Sequence, residues 1–194
     1  MVSTIVDYTQ TAFASHLAQR IASLRTARGW SLAELAQHST VSKAMLSKIE
    51  RGESSPTATV LVKIASAFGL TLAKLLAEEA PQPHSRLLPA TDQPTWTDPA
   101  TGYRRRQVYL SADVPVELVE VSLPAGAIVG MPASSYVLTR HLVWVLEGHL
   151  VINEGGQRHE LGPGDRLEFG PPVDMQYRNE TAAACRYLVT VLRC

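Results

Sequence analysis

The spacing of apolar residues changes once along this chain, and that change limits its fold more than any other feature. From Ala14 to Leu76 apolar side chains recur every three or four positions: Leu17, Ile21 and Leu24, then Leu32, Leu35 and Ala36, Leu46 and Ile49, Leu61, Ile64 and Phe68, Leu72 and Leu75. A helix that buries one stripe shows this spacing. Beyond Gly102 the period falls to two. Glu117, Val119, Val121 and Leu123 alternate with opposite-facing neighbours, and LVWVLEG, HLVIN, RLEF, MQYRN and CRYLVTVL follow as short runs separated by glycines and prolines. That is the pattern of a small all-β unit. In between, Pro81, Pro83, Pro89, Pro94 and Pro99 remove backbone donors and disfavour regular structure. The chain therefore reads as a helical unit over residues 10–79, a proline-rich linker over 80–101 and a β unit over 102–194. Its 194 residues suffice for two small cores.

The helical unit is punctuated in detail. Gly29 ends the first stripe, and Ser31 with Glu34 three residues later forms a capping box. Ser42 opens the next helix and Gly52 closes it, where a left-handed residue costs least. Pro56 begins a fourth pattern and Thr71 caps a last one. Five short helices follow. In the β unit, PAG before Ala127 and EGG after Asn153 read as turns.

Charge is informative in its distribution. The formal net charge is zero, so the chain is not built to coat a polyanion along its whole length. All four lysines lie before residue 80, and between Ala14 and Pro56 six cations face three carboxylates. A modestly basic patch belongs to the helical unit alone. No run of eighteen apolar residues occurs, and the N-terminal segment lacks a basic stretch followed by an apolar one. Neither a membrane span nor a signal peptide is expected, which points to the cytoplasm. Cys185 and Cys194 lack metal-site spacing and are expected to be free thiols.

Leu35, Ala36, Val41, Leu46 and Ile49 are the apolar positions that a tight helix-turn-helix requires. The small Ala36 permits close approach, and the others anchor the second helix while leaving its opposite face free. That face carries Lys43, Ala44, Ser47 and Lys48. The major groove admits one helix, read by short polar and cationic side chains near the helix N-terminus. On these residues, SLAELAQHSTVSKAMLSKIERGESSPTATVLVKIASAFGLTLAKLL resembles the lambda-repressor-like, Xre-type helix-turn-helix family over roughly residues 16–77. The resemblance implies a five-helix DNA-binding domain that contacts an operator through Ser31, Ser42, Lys43, Ala44, Ser47, Lys48 and Arg51. Two positions depart from it: Thr40 stands where glycine is favoured in the turn, and Leu32 where glutamine is common, leaving Ser31 as a substitute contact.

The segment HLVWVLEGHLVINEGGQRHELGPGDRLEFGPPVDMQYRNET resembles the cupin family over roughly residues 103–192, most specifically in VLEGHLVI, LGPGD and Asn179. The implied fold is a β-barrel, the double-stranded β-helix, so the whole is expected to be multi-domain, α plus β. Many cupins hold a divalent metal with histidines and a glutamate. Here His141 occupies the glutamate position, Met175 the second-motif histidine position, and the upstream histidine region reads ASSYVL. No metal site, no cofactor and no catalytic residue is therefore expected. Tyr136, His141, Met175 and Tyr177 are the candidate lining of a barrel that binds a small-molecule effector. The resulting expectation is a homodimeric transcriptional regulator, a repressor by family habit, whose barrels dimerise and sense the effector. The alternatives are a cupin metalloenzyme with an N-terminal helical localisation or oligomerisation module, and a DNA-binding protein whose barrel only dimerises.

Overall fold

A computed structural model describes residues 3–77 and 86–193, with side chains from Ala14 onward. Five α-helices come first: α1 (Ser3–Ala27), α2 (Leu32–Ser39), α3 (Lys43–Glu50), α4 (Ala58–Ala67) and α5 (Leu72–Leu76). The expected caps form. Ser31 Oγ accepts from Glu34 N–H at 3.2 Å while the Glu34 carboxylate accepts from Ser31 N–H at 2.7 Å, and that second bond holds the Glu34 carboxyl below its usual range. Ser42 and Thr71 cap α3 and α5, each accepting from the backbone N–H three residues on, and Thr57, where the sequence pointed to Pro56, does the same for α4. Gly52, at φ 70°, closes α3 with Gly52 N–H donating to Ile49 O and Glu53 N–H to Lys48 O, each 2.9 Å. The first helix differs from expectation. It is 25 residues long and begins at Ser3, well before the apolar stripe that marks it in the sequence.

The helices enclose one core in which Ile21, Leu35, Leu46, Leu61, Ile64 and Leu75 have no exposed surface. Trp30 covers its edge, stacking on His38 at 4.2 Å and on Phe68 at 5.7 Å between ring centroids.

Ten strands follow: β1 (Thr95–Thr97), β2 (Arg104–Leu110), β3 (Val116–Leu123), β4 (Ile128–Met131), β5 (Thr139–Glu147), β6 (Leu150–Glu154), β7 (Gln157–Leu161), β8 (Arg166–Glu168), β9 (Met175–Arg178) and β10 (Cys185–Arg193). They form a six-stranded sheet in the order β1-β2-β3-β10-β5-β8 facing a four-stranded sheet β4-β9-β6-β7, with neighbouring strands antiparallel. Alternation is clean in β3, where Glu117, Val119, Val121 and Leu123 point inward. Gly155 and Gly156, both at positive φ, make the two-residue β6–β7 turn. Asn179 ties three segments: its amide donates to Leu123 O (2.9 Å) and Ala183 O (2.7 Å), and its oxygen accepts from the Thr181 N–H and hydroxyl.

The connector over 80–101 is partly ordered along the surface of the β unit. β1 lies within it and pairs with β2, and the buried Asp98 fastens the following turn by accepting from Ala100 N–H and the Thr101 hydroxyl. The helical unit also packs on the barrel rather than standing clear of it. α4 lies against β4 and the short turn Ala133–Ser135; Ala58 is fully buried in the barrel core, and the Thr59 hydroxyl donates to Gly130 O at 2.8 Å. The Thr71 hydroxyl donates to Glu117, whose 1%-exposed carboxylate also meets Arg193 at 3.0 Å. Among the described residues no helix is long and apolar enough to cross a membrane.

Candidate nucleic-acid interface

The turn between α2 and α3 is made by three residues. Thr40 takes the left-handed conformation (φ 54°, ψ 23°) that glycine fills more cheaply, and it is the one non-glycine residue at positive φ among those described. Ser39, buried, donates from its hydroxyl to Leu35 O at 2.6 Å and accepts from Val41 N–H at 3.3 Å. Val41 fills the space beneath. Ser39 was not legible as a turn residue, since a serine at a helix end reads equally well as solvent-exposed.

With the turn fixed, Leu46 and Ile49 root α3 in the core and its other face is open. Ser42, Lys43, Ala44 and Lys48 are exposed and Ser47 is half-buried, so five of the residues expected to face DNA share one surface. Ser31 is exposed at the start of α2. Arg51 is exposed too, but its guanidinium pairs with Glu53 at 2.6 Å and donates to the Ser47 hydroxyl. Both members of that pair are more than half exposed, so water screens it and a phosphate can compete for the arginine. The remaining carboxylate of α3, Glu50, faces the other way. It accepts two bonds from Arg25 of α1, at 2.7 and 2.9 Å, while Arg25 also donates to Trp30 O at 2.8 Å. The outward face of α3 is thus left cationic, and the barrel touches the head on the side of α4 and α5.

Inside the barrel the structure brings together Tyr136, His141 and Tyr177. The tyrosine hydroxyls are 3.4 Å apart and the Tyr136 ring meets His141 edge-on at 4.8 Å. Phe169 stacks on His141 at 5.9 Å and Tyr187 on Tyr177 at 6.0 Å. Met175, almost fully buried, lies on the same inward face of β9 as Tyr177. Burial, with a smaller contribution from the Arg105 charge, pushes His141 down to about 4, so the imidazole is neutral. Its Nε2 lies 2.9 Å from the Thr139 hydroxyl, whose proton is directed to Ser135 O at 3.0 Å. Nε2 is therefore the protonated nitrogen, and Nδ1 presents a lone pair with no partner. Burial raises the Tyr136, Tyr177 and Tyr187 hydroxyls above their ordinary range, keeping all three protonated.

The donor set does not fit a divalent metal. One imidazole nitrogen, a thioether and tyrosine hydroxyls held protonated offer too few of the nitrogen and carboxylate ligands that such ions take. Among the described residues no group of three or more histidines, cysteines or acids converges. His159 is engaged instead by Glu154 at 3.1 Å, and Arg140 points outward, leaving His141 inward. Cys185 is a free, buried thiol pushed up to about 11 by burial, and Cys194 lies outside the described residues. On the far side of the larger sheet, Leu142, Trp144, Gly164, Arg166, Leu188 and Thr190 line a shallow cleft that faces solvent.

Two family models match: helix-turn-helix over residues 21–75 and cupin domain over residues 119–191. The HTH-type transcriptional regulator SutR of Escherichia coli is 30% identical over 172 residues, covering 86% of this chain and 88% of that protein. The crystal structure of an HTH_3-family transcriptional regulator from Vibrio cholerae superposes with a TM-score of 0.78 at 28% identity, over 95% of this chain and 98% of that one. A single alignment thus spans head, linker and barrel. The chain belongs to the helix-turn-helix transcriptional regulators that carry a C-terminal cupin domain.

Proposed function

We propose that this regulator binds a palindromic operator as a cytoplasmic homodimer, lays the exposed face of α3 in the major groove, and represses transcription until a small molecule enters the barrel. The observation that carries the reading is the two-sidedness of α3: Leu46, Ile49 and Glu50 lock one side to the head, while Lys43, Ala44 and Lys48 are open to solvent. In this reading Lys43, Ala44 and Ser47 approach base edges, and Lys48, Arg51, Ser31 and the Ser42-capped helix start meet phosphates. Dimerisation supplies the second reading helix, because one short helix has too little contact for selective binding. The outer face of the six-stranded sheet supports it. Trp144 and Leu192 are 46% and 41% exposed there, next to Leu142 and Leu188, with Arg166, Glu168 and Arg140 at the rim. Both charge signs on that rim suit a two-fold contact with a second copy. Catalysis has no part in this function.

The test uses an operator recovered by selection from genomic fragments. Lys43→Ala with Lys48→Ala is expected to abolish selective binding, to reduce the slope of log affinity against log salt by about 1 through the phosphate contact of Lys48, and to leave thermal melting unchanged. A retained footprint refutes the assignment of α3 as the reading helix.

A further inference from the structure

Arg105 is 8% exposed, on the second strand of the larger sheet. Its register partners are Trp96 on one side and Val121 on the other, and the same row continues through Tyr187 to Val145. Val121, Tyr187 and Val145 belong to the barrel core, so Arg105 points inward with them while Arg104 is exposed and Arg106 pairs with Glu120 at 2.6 Å. The contacts around Arg105 are unusual. Among the described residues its guanidinium meets no carboxylate, no hydrogen-bond acceptor and no aromatic face. The nearby acids are engaged elsewhere: Asp98 with Ala100 and Thr101, Glu154 with Gly170 N–H and His159.

A guanidinium cannot escape burial by losing its proton, and because none of the Arg105 nitrogens is among the fully enclosed unpaired atoms, the fork opens on a space that solvent reaches. Such a group persists where something outside the chain neutralises it. One further polar group in the same interior lacks a partner, the His141 Nδ1 lone pair; the Ser135 hydroxyl, on the short turn after β4, is enclosed and unpaired as well. The Arg105 charge is felt at His141, Tyr103 and Tyr187, so all three lie within electrostatic reach of it.

We infer that the barrel interior is a site for a small oxyanion that carries its own hydrogen-bond donor, a hydroxy acid being the simplest class, with Arg105 as counter-ion. This rests on the proposed effector-binding role of the barrel and specifies the effector's chemistry. The guanidinium fork takes the oxyanion and the ligand's hydroxyl donates to His141 Nδ1. Each of these two groups then has a partner of the right sense.

The test measures melting of the full chain with acetate, glycolate, malate, sulfate or phosphate against sodium chloride at equal ionic strength, with ethylene glycol as the uncharged control. Glycolate and malate are expected to raise the melting temperature saturably, acetate less, chloride and ethylene glycol not at all. Arg105→Met is expected to fold, to melt no lower than the parent and to lose the response. Arg105→Lys keeps the charge without the fork and is expected to weaken the response at least tenfold in concentration; it decides the matter should the methionine variant not fold. Absence of any anion-specific shift in the parent, or a shift unchanged in the variants, overturns the inference. If anions fail while an uncharged sugar or a polyamine shifts both melting and operator affinity, effector binding stands and only the anion site falls; if nothing alters operator affinity, both fall.

Discussion

Removing the Glu50 carboxylate is the perturbation that best separates the placement of α3 from its mere existence. The carboxylate sits at the last residue of α3 and takes both arms of Arg25, at 2.7 and 2.9 Å, with side-chain exposures of 11% and 20%. An exposed pair contributes about 0–1 kcal/mol, and breaking a fully buried one costs about 3–5 kcal/mol. At this burial Glu50→Ala should cost about 2–3 kcal/mol, and Glu50→Gln, which keeps one acceptor, about 1–2 kcal/mol. Arg25→Ala costs more than its share of the pair, because Trp30 O also loses a donor. The double substitution Arg25→Ala, Glu50→Ala should therefore be milder than the sum of the singles by about 1–2 kcal/mol. Every α-helix among the described residues belongs to the head, so the far-ultraviolet helical signal in a urea titration reports its unfolding. Operator affinity, read by fluorescence anisotropy, should fall further than stability alone requires, since the pair fixes the angle at which α3 leaves α1. Additive single and double substitutions with unchanged affinity would refute the argument.

Other consequences follow from single residues. Thr40→Gly relieves a left-handed β-branched residue (about 1–2 kcal/mol) but frees the unfolded chain (about 0.4–1 kcal/mol), so a net gain of about 0.5–1 kcal/mol is expected by denaturant titration. Trp144→Lys places a charge in the exposed apolar band and is expected to yield monomers by light scattering, with weakened operator binding and an intact fold. His141, neutral in the fold to about pH 4, binds its proton more readily when unfolded. Stability is then expected to decline as pH falls from about 6.5 to about 4, by about 3 kcal/mol in total, and His141→Gln should flatten that part of the profile in calorimetry.

The helical head was legible because its signals are local. Ser31, Glu34, Ser42, Gly52 and Thr71 sit at helix ends and act within four residues, and the φ forced on Thr40 followed from its place in the turn. The start of α1 was not, since Ile5 and Val6 are separated from Ala12 and Phe13 by the mostly polar run Asp7 to Thr11, which breaks the stripe before Ala14. β1 was hidden for a different reason: three residues between Pro94 and Pro99 carry no period, and their partners, Arg104–Arg106, lie beyond a turn held by Asp98. In the barrel, Tyr136, His141, Met175 and Tyr177 do share an interior, as alternation implied. Arg105 escaped notice because RRR reads as a charged surface run. Only its place two residues after the inward Tyr103, on a strand, marks the middle arginine as buried.

The two halves meet where an effector would have to act. Tyr136 borders the barrel interior, and the turn Ala133–Ser135 just before it lies against α4, which packs in turn on α2 and so on the element that positions α3. Among the described residues two polar links cross this contact, Thr59 to Gly130 and Thr71 to Glu117. At about 0.5–1.5 kcal/mol each they hold the head to the barrel by about 1–3 kcal/mol before apolar contacts are counted. A ligand at a hundred times its dissociation constant contributes about 2.7 kcal/mol to the state it prefers. The two magnitudes are comparable. An occupant that moved Tyr136 to reach Arg105 would therefore have enough binding energy to release α4 or to clamp it, and no long pathway is needed, because only one layer of packing separates the interior from the head.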